Sequence, residues 1–218
     1  MPCITRARAA ASPRGAVTRL AGMSGTDTKA VLRSYLRQAR DAVLWKLEGL
    51  SEYEVRRPMV PTGANLLGLI KHLAGLEMGY FGGTFGRRSA VRLPWFDEGS
   101  EPNDDMWATA EESRAQIVDL YRRAQAHADV TIDSLALDAV GRVPWWPPER
   151  RAVTLDTVLV HMIAETNRHA GHADIVRELI DGSVGVGAGD RSMAPGDGAW
   201  WQAYRERLER VAREAAPG

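Results

Sequence analysis

Cysteine is all but missing from this chain of 218 residues; the only one, Cys3, stands near the N-terminus. A lone thiol closes no intrachain disulfide, and beyond position 3 there is none to act as nucleophile or to build a cysteine metal cluster. Such usage suits a reducing cytoplasm. Long apolar runs are missing too: the best, Leu155 to Ile163, leads straight into Glu165 and Arg168 and falls short of the roughly 18 to 20 residues that cross a bilayer. An excess of either charge is also absent, with 28 basic and 28 acidic residues, so nothing draws the molecule as a whole to nucleic acid or anionic lipid. Lysine is scarce, at Lys29, Lys46 and Lys71 alone, every other basic residue being arginine, which reads as the codon bias of a GC-rich genome. No fixed-period repeat, convincing strand run, His-Glu-x-x-His motif, Walker motif or dinucleotide-binding glycine motif is found.

What is present is a globular composition, 44% apolar and 26% charged, in a length suited to one core. Residues 1–22 carry Arg6, Arg8, Arg14 and Arg19 with no acid, leaving a mildly acidic body. Residues 1–24 are read as a disordered leader or a misassigned start, with Met23 as the natural initiator, in preference to a transit peptide. Residues 25–218 form the domain.

Four main helices are expected. Apolar residues at Val31, Leu32, Tyr35, Leu36, Ala39, Val43, Leu47 and Leu50 follow the three-and-four spacing of an amphipathic helix from Asp27 to Leu50. A second runs from about Asn65 to Phe81 and stops at Gly82-Gly83; its glycines at 68, 75 and 79 permit close approach by a neighbour. A long connection from Gly86 to Asp104 follows, of the kind that is usually functional. The third helix starts at Met106 or Thr109 and ends near Ile132. Past a proline-aromatic loop at 143–148, the fourth runs from Thr154 through Ile180 to a stop at Gly182. After a glycine-rich linker, Ala199 to Glu214 makes a shorter terminal helix. The fold class is all-α, a four-helix bundle.

The fourth helix carries the chemistry. At about 100° per residue, His161, Glu165, His169 and His172 fall within roughly 80° of one another. The positions around them are apolar, so the helix should be mostly buried, and buried imidazoles and carboxylates need a hydrogen bond, an ion pair or a ligand to offset desolvation. Glu165 and His169, one turn apart, can reach one cation. His72, between Ile70 and Leu73, is the third candidate ligand; His127 lies in an arginine-rich run and reads as a surface residue. Alone, His72 is more often a hydrogen-bonded core histidine, and a Glu-His pair is common on solvated helices; the conjunction is what points to a metal. Two imidazoles and one carboxylate leave a coordination position open, as in catalytic sites. Zinc suits Lewis-acid work, and iron or nickel fit nearly the same donors.

The segments Leu67-Gly-Leu-Ile-Lys-His72-Leu-Ala-Gly-Leu-Glu77 and His161-Met-Ile-Ala-Glu-Thr-Asn-Arg-His-Ala-Gly-His172-Ala-Asp-Ile together resemble the DinB-like superfamily, in particular its actinobacterial branch of mycothiol-dependent transferases. The resemblance covers about Asp27 to Asp181 and implies up-down-down-up helix order, which accounts for the long second-to-third connection. It implies a metal triad of His72, Glu165 and His169. Many members carry histidine at both fourth-helix positions; Glu165 departs from that in the manner of the mycothiol-dependent maleylpyruvate isomerases. The implied chemistry is activation of a small thiol, mycothiol, for attack on a small electrophile, in a cytoplasmic protein that commonly pairs as a homodimer. His172 and His161 are placed to orient ligands or relay a proton. Trp95, Trp107, Trp145 and Trp146 are candidate pocket walls, and Arg168, with Arg150 and Arg151, a candidate partner for a carboxylate. The competing reading is a non-catalytic metal- or small-molecule-binding bundle of a stress response; nucleic-acid or membrane partners are not expected.

Overall fold

A computed structural model describes residues 27–190 and 192–216; the expectations for residues 1–24 lie outside them. The chain divides into two compact units, one spanning Gly25–Ala188 and the other taking in Gly189–Gly218.

The first unit is built on the expected helices. Asp27 caps α1 (Thr28–Trp45), its carboxylate accepting from the amides of Lys29 and Ala30. The helix is shorter than its apolar spacing suggests, because the chain turns after Trp45 and reverses at Gly49, φ 75°. Ser51 and Glu54 then form a reciprocal capping box on a one-turn helix, α2 (Glu52–Arg56), whose single buried residue, Val55, shows no period to a sequence reader. Helix α3 (Leu66–Glu77) starts on an Asn65 cap and continues as a π turn over Met78–Gly82 and a 3-10 turn over Gly83–Phe85. The stop expected at Gly82-Gly83 is thus delayed. Both glycines keep right-handed angles, and the first left-handed residue is Gly86, φ 71°. The third long helix, α4 (Arg114–Ser134), begins later than expected, at a Ser113–Gln116 capping box, while Asp104–Met106 is an isolated 3-10 turn. Helix α5 (Leu155–Asp181) ends at Gly182, φ 78°, as its sequence predicts. Two three-residue strands, β1 (Val140–Arg142) and β2 (Ala152–Thr154), pair antiparallel ahead of α5. They are too short for alternation to reveal them.

The pairings fix helix direction. Lys29 Nζ at the start of α1 donates to the Leu135 carbonyl, 2.6 Å, just past the end of α4, so these helices are antiparallel. Arg177 near the end of α5 donates to the Lys46 carbonyl, 2.9 Å, just past the end of α1, so α1 and α5 are parallel. Helices α3 and α5 are antiparallel, His72 meeting His169 and Tyr80 meeting His161. The order is up-down-down-up. Because α3 and α4 point the same way, the chain between them must return along the bundle, and the connection of residues 86–113 does so. It is tied to α3 at Gly68, where an added Cβ would lie 1.7 Å from the Met106 carbonyl oxygen, and by Lys71, whose ammonium donates to the Trp107 carbonyl (2.9 Å) and pairs with Glu112 (3.0 Å).

Two apolar clusters fill the unit. One gathers Leu66, Leu67, Ile70, Leu73 and Tyr121; the other gathers Leu36, Phe81, Ile132, Leu155 and Leu159. Between the helices lies a fully paired ionic group. Arg40 donates through Nε and Nη2 to both oxygens of buried Glu77, 2.7 Å each, and through Nη1 to Asp129, 2.8 Å. Burial pushes the Glu77 carboxyl up, and the two hydrogen bonds from Arg40 oppose that shift. The outward face of α5 is less covered than its composition suggests: Val160, Ile175 and Leu179 are more than half exposed.

In the other unit, α6 (Gly198–Ala215) starts on an Asp197 cap and stacks Trp200 on Tyr204 at 5.2 Å, close to the terminal helix read from sequence. Among the described residues no helix is long and apolar enough to cross a membrane.

Candidate metal centre

The polar stripe of α5 faces α3, and helical spacing decides which residues meet. Because the two helices are antiparallel, His169 lies level with His72, their ring centroids 4.8 Å apart and nearly edge to face. One turn back on α5, Glu165 places a carboxylate oxygen 3.6 Å from His169 Nε2. On the other side His172 Nδ1 lies 3.4 Å from His169 Nδ1, a contact in which one ring nitrogen donates to the other. His169 therefore stands between a carboxylate at one nitrogen and an imidazole at the other.

His72 is held by a residue from the returning connection. Its Nδ1–H donates to Asp105 Oδ2, 2.5 Å, which leaves Nε2 as the ring nitrogen not engaged by Asp105. The same hydrogen bond, ahead of the opposing effect of burial, keeps the Asp105 carboxyl below the usual carboxylate range. A carboxylate on the far nitrogen of an imidazole is the arrangement that sets the tautomer and orientation of metal-ligating histidines. His169 is held neutral down to about pH 4. Burial, and behind it the neighbouring His72 and His172, lower its pKa from 6.5 to about 4. The His169 ring thus offers a lone pair at neutral pH.

This donor set suits a divalent cation. Two ligand atoms each about 2 Å from a tetrahedral ion are separated by roughly 3.3 Å, and the Glu165–His169 pair stands slightly wider than that. The three side chains do not yet close on one point: among the described residues no group of three His, Cys, Asp or Glu side chains is arranged to hold an ion. Glu165 is one-third exposed at its side chain.

The remaining candidates are dispersed. His161 packs against Tyr80 (4.6 Å) and Trp146 (5.4 Å), two turns from His169, and burial lowers its pKa. His127 is half-buried and binds the Arg87 carbonyl through Nε2, 2.6 Å, so it anchors the start of the connection instead of lying free on the surface. A cavity of about 450 Å³ opens at His169 and His172 and is bounded by Leu69, Asn103, Met106 and Ile175. A second, of about 540 Å³, has Trp145 in its wall. Trp95, Trp107, Trp146 and Arg168 line neither. Trp95 lies under the Lys71 ammonium, 4.3 Å from its ring centroid, and Trp146 donates its indole N–H to the Tyr80 hydroxyl, 3.1 Å. Arg168 is exposed on α5. Asp105 and Lys71 were not singled out by the sequence. Asp105 sits in an acidic stretch 33 positions after His72, and nothing in its spacing links the two.

Comparison with known proteins adds one family and one fold. The sequence model of the family described as mycothiol-S-transferase matches residues 31–182. A crystal structure of the conserved protein of a locus from Enterococcus faecalis superposes with a TM-score of 0.55 over 73% of this chain and 100% of that one, at 19% identity, a likeness of fold. No curated protein matches this sequence.

Proposed function

Since the chain belongs to the mycothiol-S-transferase family, a DinB-like family, we propose that it transfers mycothiol to an electrophilic carbon of a small molecule at a divalent cation held by His72, Glu165 and His169. The observation that carries the reading is the meeting of His72 and His169 across α3 and α5, centroids 4.8 Å apart, with Glu165 3.6 Å from His169 and Asp105 on the far nitrogen of His72.

A cation held by His72, Glu165 and His169 would supply Lewis acidity and so lower the pKa of a thiol beside it, a non-redox role that zinc would fit. The remaining work belongs to the chain. Asp105 orients His72, and His172 braces His169 from its Nδ1 side. The cavity at His169 and His172 admits the thiol, whose proton passes to exposed His172 and on to water. The sulfur lone pair forms the C–S bond as the leaving group departs with the bonding pair or, at an activated double bond, as the π pair shifts onto the neighbouring carbon, which takes up a proton from water. No cysteine is required of the protein, and none occurs beyond Cys3.

The test is mycothiol conjugation by the purified protein with and without chelator, alongside elemental analysis. Stoichiometric metal, loss of activity on chelation and its return on zinc addition are expected, with His169→Ala losing both metal and activity. Activity indifferent to chelator and to His169→Ala overturns the reading. Stoichiometric metal with no thiol consumed across a panel of electrophiles assigns a binding bundle instead.

A further inference from the structure

The face of α3 that presents His72 continues past it. Taking His72 as zero, Gly75, Leu76 and Gly79 fall about 60°, 40° and 20° away around the helix axis, so all four share one stripe. Beyond His72 the stripe is bare at Gly75 and Gly79, on either side of Leu76, and two aromatic rings from elsewhere in the chain settle on that bare backbone. An added Cβ at Gly75 would lie 2.5 Å from the Phe96 ring, and one at Gly79 2.9 Å from the Trp145 ring. Phe96 comes from the returning connection, Trp145 from the proline-aromatic loop. They frame the cavity of about 540 Å³, which Leu76, Met78, Val91 and Leu93 complete. Gly79 belongs to the π turn of Met78–Gly82, a local widening of the helix of the kind that gathers at functional sites.

The lining selects a ligand class. Its hydrogen-bonding capacity is small, the Ser89 hydroxyl already accepting from the Val91 amide, 3.1 Å. Phe96 and Trp145 are each more than half exposed and line the same cavity, and clustered exposed apolar surface is a mark of ligand-binding grooves. Trp145 is steadied edge to face against Tyr80 at 5.1 Å. Such walls stack on a planar guest. Arg88 is the one charged residue on the lining, and among the described residues it has no ion pair or hydrogen bond.

We propose that this cavity binds flat aromatic molecules, accepting an acidic substituent and rejecting a cationic one, and that it holds the aromatic body of the electrophile during thiol transfer. The second half rests on the function proposed above; the first does not. The volume lies within the range of small-molecule sites, and the shared α3 stripe leads from its floor to His72.

The test uses 2-naphthoate and 2-(aminomethyl)naphthalene as probes, titrated into the full-length protein by calorimetry. Gly83 lines the cavity with right-handed helical angles, φ −58° and ψ −42°, and an added Cβ there meets no atom within 4 Å. Gly83→Leu therefore fills space without straining the backbone, and Trp145→Ala removes a wall by an independent route. Saturable naphthoate binding is expected, at least tenfold tighter than that of the amine. Gly83→Leu and Trp145→Ala should each weaken it at least tenfold, with the melting temperature of Gly83→Leu unchanged and its metal content intact. Absence of saturable binding, equal affinity for the two probes, or wild-type affinity in both variants overturns the proposal. His169→Ala is expected to bind naphthoate normally while losing thiol transfer; a wild-type protein that binds naphthoate but transfers no thiol removes the proposed function and leaves the cavity. Conversely, loss of the cavity assignment leaves mycothiol conjugation to a small aliphatic electrophile such as iodoacetamide standing.

Discussion

Two polar clusters share helix α3, one joining it to α1 and α4 and the other to α5, and they are finished in opposite ways. In the group of Arg40, Glu77 and Asp129, both Glu77 oxygens are taken, and Arg40 spends its fork on two carboxylates at 2.7 and 2.8 Å. Around His169 nothing is closed to that degree. Glu165 stands 3.6 Å off, His172 3.4 Å off, and His72 keeps one nitrogen free. A desolvated ion pair that satisfies itself has no further partner to recruit. A neutral His169 beside an under-used carboxylate keeps its lone pair for something else. Within one fold, completeness marks the group that holds helices together, and incompleteness marks the group that can do chemistry.

The contrast can be broken most strongly at Glu77. Glu77→Ala strands the buried Arg40 charge and should cost about 3–5 kcal/mol in urea denaturation, whereas a double replacement of Arg40 and Glu77 by apolar residues of similar volume should cost far less. Next comes proton linkage at His169. Its folded pKa of about 4 lies below its ordinary 6.5, so between those values the unfolded chain binds more protons there. Stability is fully present above pH 6.5 and falls as the pH drops toward 4, by about 2 kcal/mol at this residue. Urea midpoints measured across that window should fall less steeply for His169→Gln than for the parent; identical slopes would show that the imidazole is not desolvated. Asp105→Asn sharpens the comparison at the open cluster, since it keeps the shape and removes the charge that orients His72. Zinc affinity, read by competition with a chromophoric chelator, should fall about tenfold, the lower end for outer-shell partners. The smallest effect is expected at the rim of the closed cluster. Asp129 is 42% exposed at its side chain, and Asp129→Asn should cost under about 1 kcal/mol.

How much of this was legible varied with the length scale of the signal. Helix α5 could be read almost to the residue, because 27 positions of periodic apolar residues end at a glycine that adopts φ 78°. The four-residue spacing of Glu165 and His169 is a property of one helix, and so a reader of the chain can see it. Asp105 could not be seen that way. Its bond to His72 spans 33 positions and depends on how a connection folds back. The π turn escaped for a different reason: Gly82-Gly83 is a reasonable stop signal, and only backbone angles show both residues continuing a right-handed path. The tryptophans illustrate a third limit. Composition marks a ring as a possible wall, yet Trp95 stacks under Lys71 and Trp146 serves Tyr80, while Phe96, singled out by nothing, stands on the glycine backbone at 75.

The chain's return alongside α3 has a consequence for how such a protein can diverge. Topology makes a long crossing unavoidable, since two consecutive long helices run in one direction, and the crossing adds only half-buried side chains such as Val91, Leu93 and Trp95 to the edge of the core. Its middle supplies Val91, Leu93 and Phe96 to the cavity wall, while its far portion is moored through Asp105, Trp107 and Glu112. Substitutions or changes of length between these moorings can retune what is recognised while the scaffold and the imidazoles stay as they are. An engineer seeking a new guest would randomise that span first and leave the four long helices alone.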